Sequence, residues 1–328
     1  MKNRRLFIFF NFLTLSLGLF LVFPLPAIGQ DFPSKPITIY CGFEPGATTD
    51  LTSRGLASEA ERLLGVPVVV ENKTGGGSSV AASLLASKKG DGYTLGVISS
   101  MALNAVHIMT RNLPYDPLKD FTFIFAYSTY PGGVCVRNDS PFKKFSELIE
   151  HARKNPETLS YSSAGTGTSQ HLATEYWAKQ ANVKLKHVPF KGGAPACTAL
   201  IGGHVDFTAG AGSHIPYVKQ GVFRMLAVTV LEERDPGFPD VPTLKEFGYK
   251  LPPAGALVLL TPKGLPDPVY NKLESAFRQA AYSPKFKKVL ENTNMPFVFK
   301  NRRQLETEVP KDYQFYAEFL QELGLVKN

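Results

Sequence analysis

One repeated pattern constrains this chain more than any other feature: a short β-branched run, a turn rich in glycine and hydroxyl residues, then a helical stretch. Ile37–Cys41 leads through Gly42–Thr49 into a helix expected to carry Leu51, Leu56, Ala60, Leu63 and Leu64 on one face. Val66–Glu71 reads as a second strand, Gly75–Gly77 opens a helix over Ser79–Ser87, and Tyr93–Ile98 reads as a third strand. Strands joined through helices pair in parallel, and the helices cover the sheet. The unit returns further on, with a strand at Gly133–Arg137 and a helix marked by Phe145, Leu148, Ile149 and Ala152. A strand at Leu159–Ser163 follows, then a helix over Ser169–Ala181 with Leu172, Ala173, Tyr176 and Trp177 on one face. Short strands at Leu185–Pro189, Val205–Ala209 and Met225–Val230 complete this block, with a helix near Pro195–Ile201 whose proline suits a first turn. Beyond a proline-rich stretch from Pro236 to Pro253 lie a strand at Ala256–Leu260 and helices near Pro268–Tyr282, Pro284–Asn292 and Arg302–Leu323.

A chain of 328 residues is long for a single core, so two lobes of ordinary size are expected. The order of elements predicts two α/β lobes joined by crossing segments near Tyr127–Val136 and Pro239–Leu257. The first lobe is expected over 30–131 and 250–328, and the second over 132–249.

The first 29 residues are of another kind. Lys2, Arg4 and Arg5 precede an apolar run from Leu6 to Phe23, and Ala27 and Gly29 stand where a signal peptidase reads small residues. This is the pattern of a cleaved secretory signal peptide. The apolar run approaches membrane-spanning length, but its exit through Pro24 and Pro26 favours cleavage over a retained anchor. No cysteine lies near the cleavage point, which argues against a lipoprotein anchor.

Losing three basic residues with the signal takes the formal charge from +8 to +5. The rest is scattered, its densest patches being Lys285–Lys287–Lys288 and Arg302–Arg303. Such a field attracts anionic solutes but lacks the concentrated basic footprint of a nucleic-acid binder. Cys41, Cys135 and Cys197 are odd in number, widely spaced and set among apolar or small residues. Buried free thiols are expected, and no metal-ligand spacing is present.

Three loops attract attention as ligand sites because in open parallel sheets ligands lie where strands lead into helix N-termini. They are Gly42–Asp50, Thr74–Ser79 and Ser162–Ser169. Glycines admit close backbone approach, exposed amides at a helix start favour negative charge, and Ser and Thr hydroxyls suit a carboxylate. Each loop alone also fits turn and capping roles; three of them, after strands of both lobes, predict a shared cleft. Asp50, in the first helical turn, suits the helix dipole and could tie the loop's backbone into shape.

Catalytic readings fail. Ser140–Lys143 matches S-x-x-K and Lys73–Gly75 matches K-T-G, but their order is reversed, no S-D-N lies between them, and Pro141 opposes the helix that should carry the lysine. Gly165 and Gly167 lack the third glycine of a dinucleotide fingerprint. The histidines His107, His151, His171, His187, His204 and His214 show no paired ligand spacing. Of these, His171 opens a helix beside the Ser/Gly loop and is a candidate lining residue. No cofactor, metal or base–nucleophile pair is indicated.

Several strings, taken in order, resemble one family. Gly42–Asp50 is similar to P-F-x-P-G-G-x-x-D, Val68–Gly77 to V-V-V-E-N-[KR]-x-G-x-G, Asp91–Leu95 to D-G-Y-T-L, and Leu113–Phe121 to L-P-Y-D-P-x-x-D-F. Tyr161–Leu172 resembles Y-x-S-x-G-x-G-[ST]-x-x-H-L, His187–Pro195 resembles H-V-P-[YF]-[KR]-G-x-x-P, and Gly202–Asp206 and Asp240–Thr243 follow. These are the motifs of the Bug receptors, the substrate-binding components of tripartite tricarboxylate transporters. The resemblance implies a periplasmic binding protein of type II-like α/β fold, with a cleft between two lobes. It further implies a ligand carboxylate held by amides and hydroxyls of the first and third loops, often through water.

The expected function is therefore capture of a small organic acid for a membrane permease, by a monomer that closes on its ligand. An exported enzyme acting on a small carboxylate, or a ligand sensor without a dedicated transporter, are the alternatives. The expected ligand-binding set is Phe43, Glu44, Gly46, Ala47, Asp50, Ser78, Ser100, Ser163, Ala164, Gly165, Gly167, Thr168, Ser169, His171, Phe190, Lys191, Gly192 and Asp206. Gly42 stands where the family has proline, Ala47 where it has a second glycine, and Gly255–Leu257 lacks the usual tryptophan. Glu44 puts an acid into the anion-binding loop, which bears on the ligand rather than the fold.

Overall fold

A computed structural model describes residues 32–231, 233–235 and 237–326; the signal-peptide reading lies outside them. The described chain runs β1 (Ile37–Cys41), α1 (Thr48–Leu64), β2 (Val68–Asn72), α2 (Ser79–Ala86), β3 (Thr94–Ser99), α3 (Ser100–Leu103), α4 (Ala105–Met109) and β4 (Phe121–Thr129). It continues through β5 (Gly133–Arg137), α5 (Phe145–Lys154), β6 (Ser160–Ser163), α6 (Ser169–Gln180), β7 (Lys186–Pro189), α7 (Gly193–Ile201), β8 (Phe207–Thr208), α8 (Ile215–Lys219) and β9 (Phe223–Val228). It ends with β10 (Ala256–Pro262), α9 (Asp267–Tyr282), α10 (Pro284–Asn292), β11 (Phe297–Asn301) and α11 (Arg302–Glu322).

Two sheets result, ordered β11-β4-β10-β3-β1-β2 and β7-β6-β8-β5-β9. The chain leaves the first sheet after Thr129, enters the second at Gly133 and returns at Ala256. Expected parallel pairing holds within β1–β2–β3 and within β6–β7–β8. Elsewhere the sheets are antiparallel: β10 lies between β3 and β4 against both, and β5 opposes β8 and β9. The purely parallel expectation is thus corrected to two mixed sheets, in which the strands that enter and leave each sheet run against their neighbours.

Alternation along each strand separates two faces. In the first sheet Ile37, Ile39, Val97 and Leu259 point into one core, while Tyr40, Ile98 and Val258 point into another. In the second, Val134 and Val136 face the Trp177 core, and Cys135 faces the Cys197 side. A further cluster joins the elements of both sheets, packing Met101, Ala105 and Val106 with Leu172 of α6 and with Tyr316, Phe319 and Leu320 of α11. Leu51 is a correction: it is 43% exposed. Five positions separate it from Leu56, and at about 100° per residue that turns it well away from the buried stripe. Two strands have no counterpart in the sequence reading. The Phe121–Thr129 segment is buried along almost its whole length and shows no sustained alternation, and β11 is an only partly buried edge.

Candidate functional site

The three glycine-rich loops meet through two side chains. A Cβ placed on Gly42 would lie 1.9 Å from Ser78 Oγ, so the first loop is seated directly on the second. Ser78 is fully buried, adopts φ 84°, and its Oγ accepts from Ser99 N at 3.4 Å. A Cβ on Gly77, or one on Gly167, would stand 3.2 Å from Val106 Cγ2. The valine of α4 therefore lies against both the second loop and the third, at glycines of positive φ (59° and 79°) where a side chain would press on it.

The first loop is shaped by charge. Glu44–Ala47 forms a turn closed by Ala47 N donating to Glu44 O at 3.0 Å, with Pro45 second and Gly46 third at φ 80°, the pattern of a type II turn. Asp50, 2% exposed, accepts from Gly46 N at 2.9 Å, Arg54 Nε at 3.0 Å and Asn72 Nδ2 at 2.8 Å. Asn72 Nδ2 also donates to Phe43 O at 2.9 Å, and Arg54 donates to Asn72 Oδ1 at 2.9 Å. Burial alone would raise the Asp50 carboxyl; the bonds from Arg54, Gly46 and Asn72 outweigh it and hold the pKa below the usual carboxylate range. Asp50 thus acts on the loop's own backbone. Phe43 is half-buried with its ring 6.1 Å from that of Tyr130, while Glu44 and Gly46 are exposed. Ala47 offers no capping oxygen, so α1 begins without a side-chain cap.

The third loop is shaped by neutral groups. Gly165 N donates to Ser163 Oγ at 3.2 Å, and that oxygen lies 2.7 Å from His187 Nε2. Gly167 N donates to His171 Nδ1 at 3.2 Å. Thr168 stands at the N-cap of α6, but its hydroxyl turns back to donate to Gly165 O at 2.7 Å and leaves the helix start uncapped. Ser169 Oγ and Gln170 Nε2 are buried there without a partner. Uncapped amides beside a buried, unspent hydroxyl are chemically suited to an anion. Behind the loop, His171 and His187 stack with ring centroids 4.0 Å apart. Burial, and for His171 the neighbouring imidazole as well, pushes them down to about 3 and about 4 respectively, so both are neutral at pH 7.

The β7–α7 loop is pinned to the third loop, since Phe190 N donates to Ser163 O at 3.0 Å and Gly192 N to Ala164 O at 3.2 Å. Lys191 is exposed beside them. Ser100 accepts from Ala256 N at 2.9 Å and so anchors the returning strand. Asp206 is a correction. It is exposed and accepts from Ser160 N and Oγ, each at 2.7 Å, at the start of β6, whereas the third loop leaves from the other end at Ser163. Its motif closes at the start of β8, and parallel strands present their loops at their carboxyl ends.

Sequence reasoning missed Val106 and Met109, whose sulfur would lie 3.5 Å from a Cβ on Gly167. It also missed Gly210–His214, which follows β8; Gly212 there approaches Thr48 and Pro131, and Ser213 packs on Gly193. The run Ala209-Gly210-Ala211-Gly212-Ser213 carries the same glycine signature as the other loops and could have been found by it. His214 is wholly buried with both ring nitrogens unpartnered, and burial pushes it down to about 4. The three cysteines are buried free thiols. Among the described residues, no His, Cys, Asp and Glu side chains gather in a group able to hold a metal ion.

Several known proteins resemble this chain in sequence and in fold. A UPF0065 protein of Cupriavidus necator is 35% identical over 96% of this chain and 95% of its own length. The solved structure of the periplasmic binding protein BugD superposes with a TM-score of 0.80 at 28% identity, covering 90% of this chain and all of that one, at 100%. A Rhodopseudomonas palustris protein solved with adipate gives the same TM-score, 0.80, at 26% identity, covering 90% of this chain and 99% of that one. The family described as "Tripartite tricarboxylate transporter family receptor" matches residues 52–325. On that span and that identity, the chain belongs to the tripartite tricarboxylate transporter receptor family, whose members are solute-binding receptors and not enzymes.

Proposed function

We propose that this receptor captures a small organic acid by its carboxylate at Ser163–Ser169, with Gly46 and Ala47 facing it from the first loop. One observation carries the reading: Ser169 Oγ is buried without a partner at the uncapped start of α6. A buried hydroxyl left unsatisfied is costly, and a carboxylate oxygen would satisfy it together with the helix amides. Adipate in the related R. palustris protein supports a carboxylate ligand. The two lobes, 30–131 with 250–328 and 132–249, close on the acid and present it to a tripartite permease. Export by removal of residues 1–29 places the receptor in the periplasm, where it acts as a monomer. Among the described residues no helix is long and apolar enough to cross a membrane.

Calorimetric titration with adipate, malate, citrate, benzoate and glutamate tests the reading. A hydrogen bond to a charged group contributes about 1.5–3 kcal/mol. Ser169→Ala should therefore weaken the acid that binds by roughly tenfold to somewhat above a hundredfold. Gly167→Val, whose first carbon already presses on Val106, should weaken it further. Parent-like affinity in both folded variants would place the carboxylate elsewhere.

A further inference from the structure

We infer that His171 is a positioning residue: its neutral imidazole, backed by His187, holds the Gly167 amide in place so that the third loop presents its remaining donors to the ligand. Gly167 N donates to His171 Nδ1 at 3.2 Å, so that nitrogen carries no hydrogen and the ring's single proton sits on Nε2. An imidazolium is a donor at both nitrogens, so protonation sets N–H against N–H and ends the bond.

The surroundings keep the ring neutral. His187 stacks on it at 4.0 Å, and Tyr161 stacks on His187 at 4.8 Å with Phe207 beyond at 5.3 Å. Two charged rings at the first spacing would repel in a buried setting. The titratable groups on the packed elements are few. On β6 there is Tyr161, whose hydroxyl donates to Glu175 of α6 at 2.5 Å, and burial raises that carboxyl toward its neutral form. Lys186 on β7 is exposed, Lys179 on α6 pairs with Glu322, and Asp206 before β8 is bonded to Ser160 at the far strand end. His187 adds a second hold, because its Nε2 lies 2.7 Å from the Ser163 oxygen that accepts the Gly165 amide.

This role rests on the reading of the loop as the carboxylate site, and two separate measurements keep the two apart. The first uses ligand-free, full-length mature protein and nitrogen NMR of the imidazoles and of the Gly165 and Gly167 amides from pH 7.5 downward. His171 should show a bare Nδ1 and a protonated Nε2, and the Gly167 amide should lose exchange protection in step with protonation of that ring. A proton on Nδ1 in the neutral ring, or a Gly167 amide indifferent to His171 protonation, overturns the inference. The second is titration with adipate and malate at pH 7.5. His171→Phe keeps the stack without an acceptor and should weaken the acid that binds by roughly threefold to tenfold. His171→Asn, which returns an oxygen near the Nδ1 position, should recover most of that loss. Equal affinities for the two folded variants would reduce His171 to packing. If neither acid binds while the amide behaves as expected, the carboxylate reading falls and the positioning role stands.

Discussion

The first and third loops solve one problem with different chemistry. Gly42–Asp50 is fixed by an ionised side chain: Asp50 spends both carboxylate oxygens on Gly46, Arg54 and Asn72. Ser163–Ser169 is fixed without formal charge, by a serine, a threonine and two stacked imidazoles. The charged loop is complete in itself, whereas the neutral one leaves Ser169 Oγ and Gln170 Nε2 unspent. Under the proposed carboxylate reading, an acid buried beside the site is tolerable only when its charge is already answered, and Asp50 shapes the first loop from behind. On the same reading, donors that serve an anion must stay free, and the loop bearing them has to be braced by groups that use none of them.

The largest expected effect breaks the comparison by pH. His171 and His214 are neutral in the folded chain with pKa values pushed down to about 3 and about 4 by burial. The unfolded chain binds these protons first, so stability falls as pH drops from about 6.5 toward those values. His214 alone should remove on the order of 3 kcal/mol by pH 4. The Asp50 carboxyl, held below the usual range, keeps its bonds through that window and releases them only at lower pH. Urea unfolding followed from pH 7 to pH 4 should therefore show the loss before the first loop's bonds fail. A stability that stays flat over that range would mean the rings are solvated.

Within the first loop, Asp50→Ala strips the acceptor from Gly46 N, Arg54 and Asn72 at once. A cost of about 2–4 kcal/mol is expected, less than for a fully buried ion pair because Arg54 is half-exposed. Denaturant titration at pH 7 measures it, and a cost under about 1 kcal/mol would show that the turn holds without its acid.

A smaller effect sharpens the seam between the first and second loops. Gly42→Ala puts a carbon where Ser78 Oγ already lies, and should cost about 1–3 kcal/mol by overpacking. Adding Ser78→Gly removes the Oγ and Cβ contacts and the left-handed serine but leaves the backbone Cα 2.8 Å from the new carbon, so the double variant should recover only part of the loss. If thermal melts show the two changes to be additive, the residues are not coupled through that contact.

Much of the fold was legible because local chemistry agreed with the final packing. The strand Gly133–Arg137 and the helix Pro284–Asn292 stand where the sequence reading puts them. The helix starting at Ser169 was readable from the glycine and hydroxyl residues before it. Other features depend on partners distant in sequence. Phe121–Thr129 is a strand because β10 and β11 flank it, and no sustained alternation in its own residues says so. Asp206 looked like a site residue because it belongs to a recognisable string, yet its position at the start of β8 sets it apart from the loops.

The sequence by itself determined the alternation of strands and helices, the three glycine-rich loops and the family, because periodicity, turn chemistry and motif order are local properties written along the chain. Only the tertiary structure decided what each polar side chain is free to do. Asp50, Thr168 and Ser100 have their hydrogen-bonding capacity taken by backbone and neighbours, while Ser169 next to them does not. That distinction turns on distances of a few ångströms between segments tens of residues apart, and a one-dimensional pattern carries no record of them.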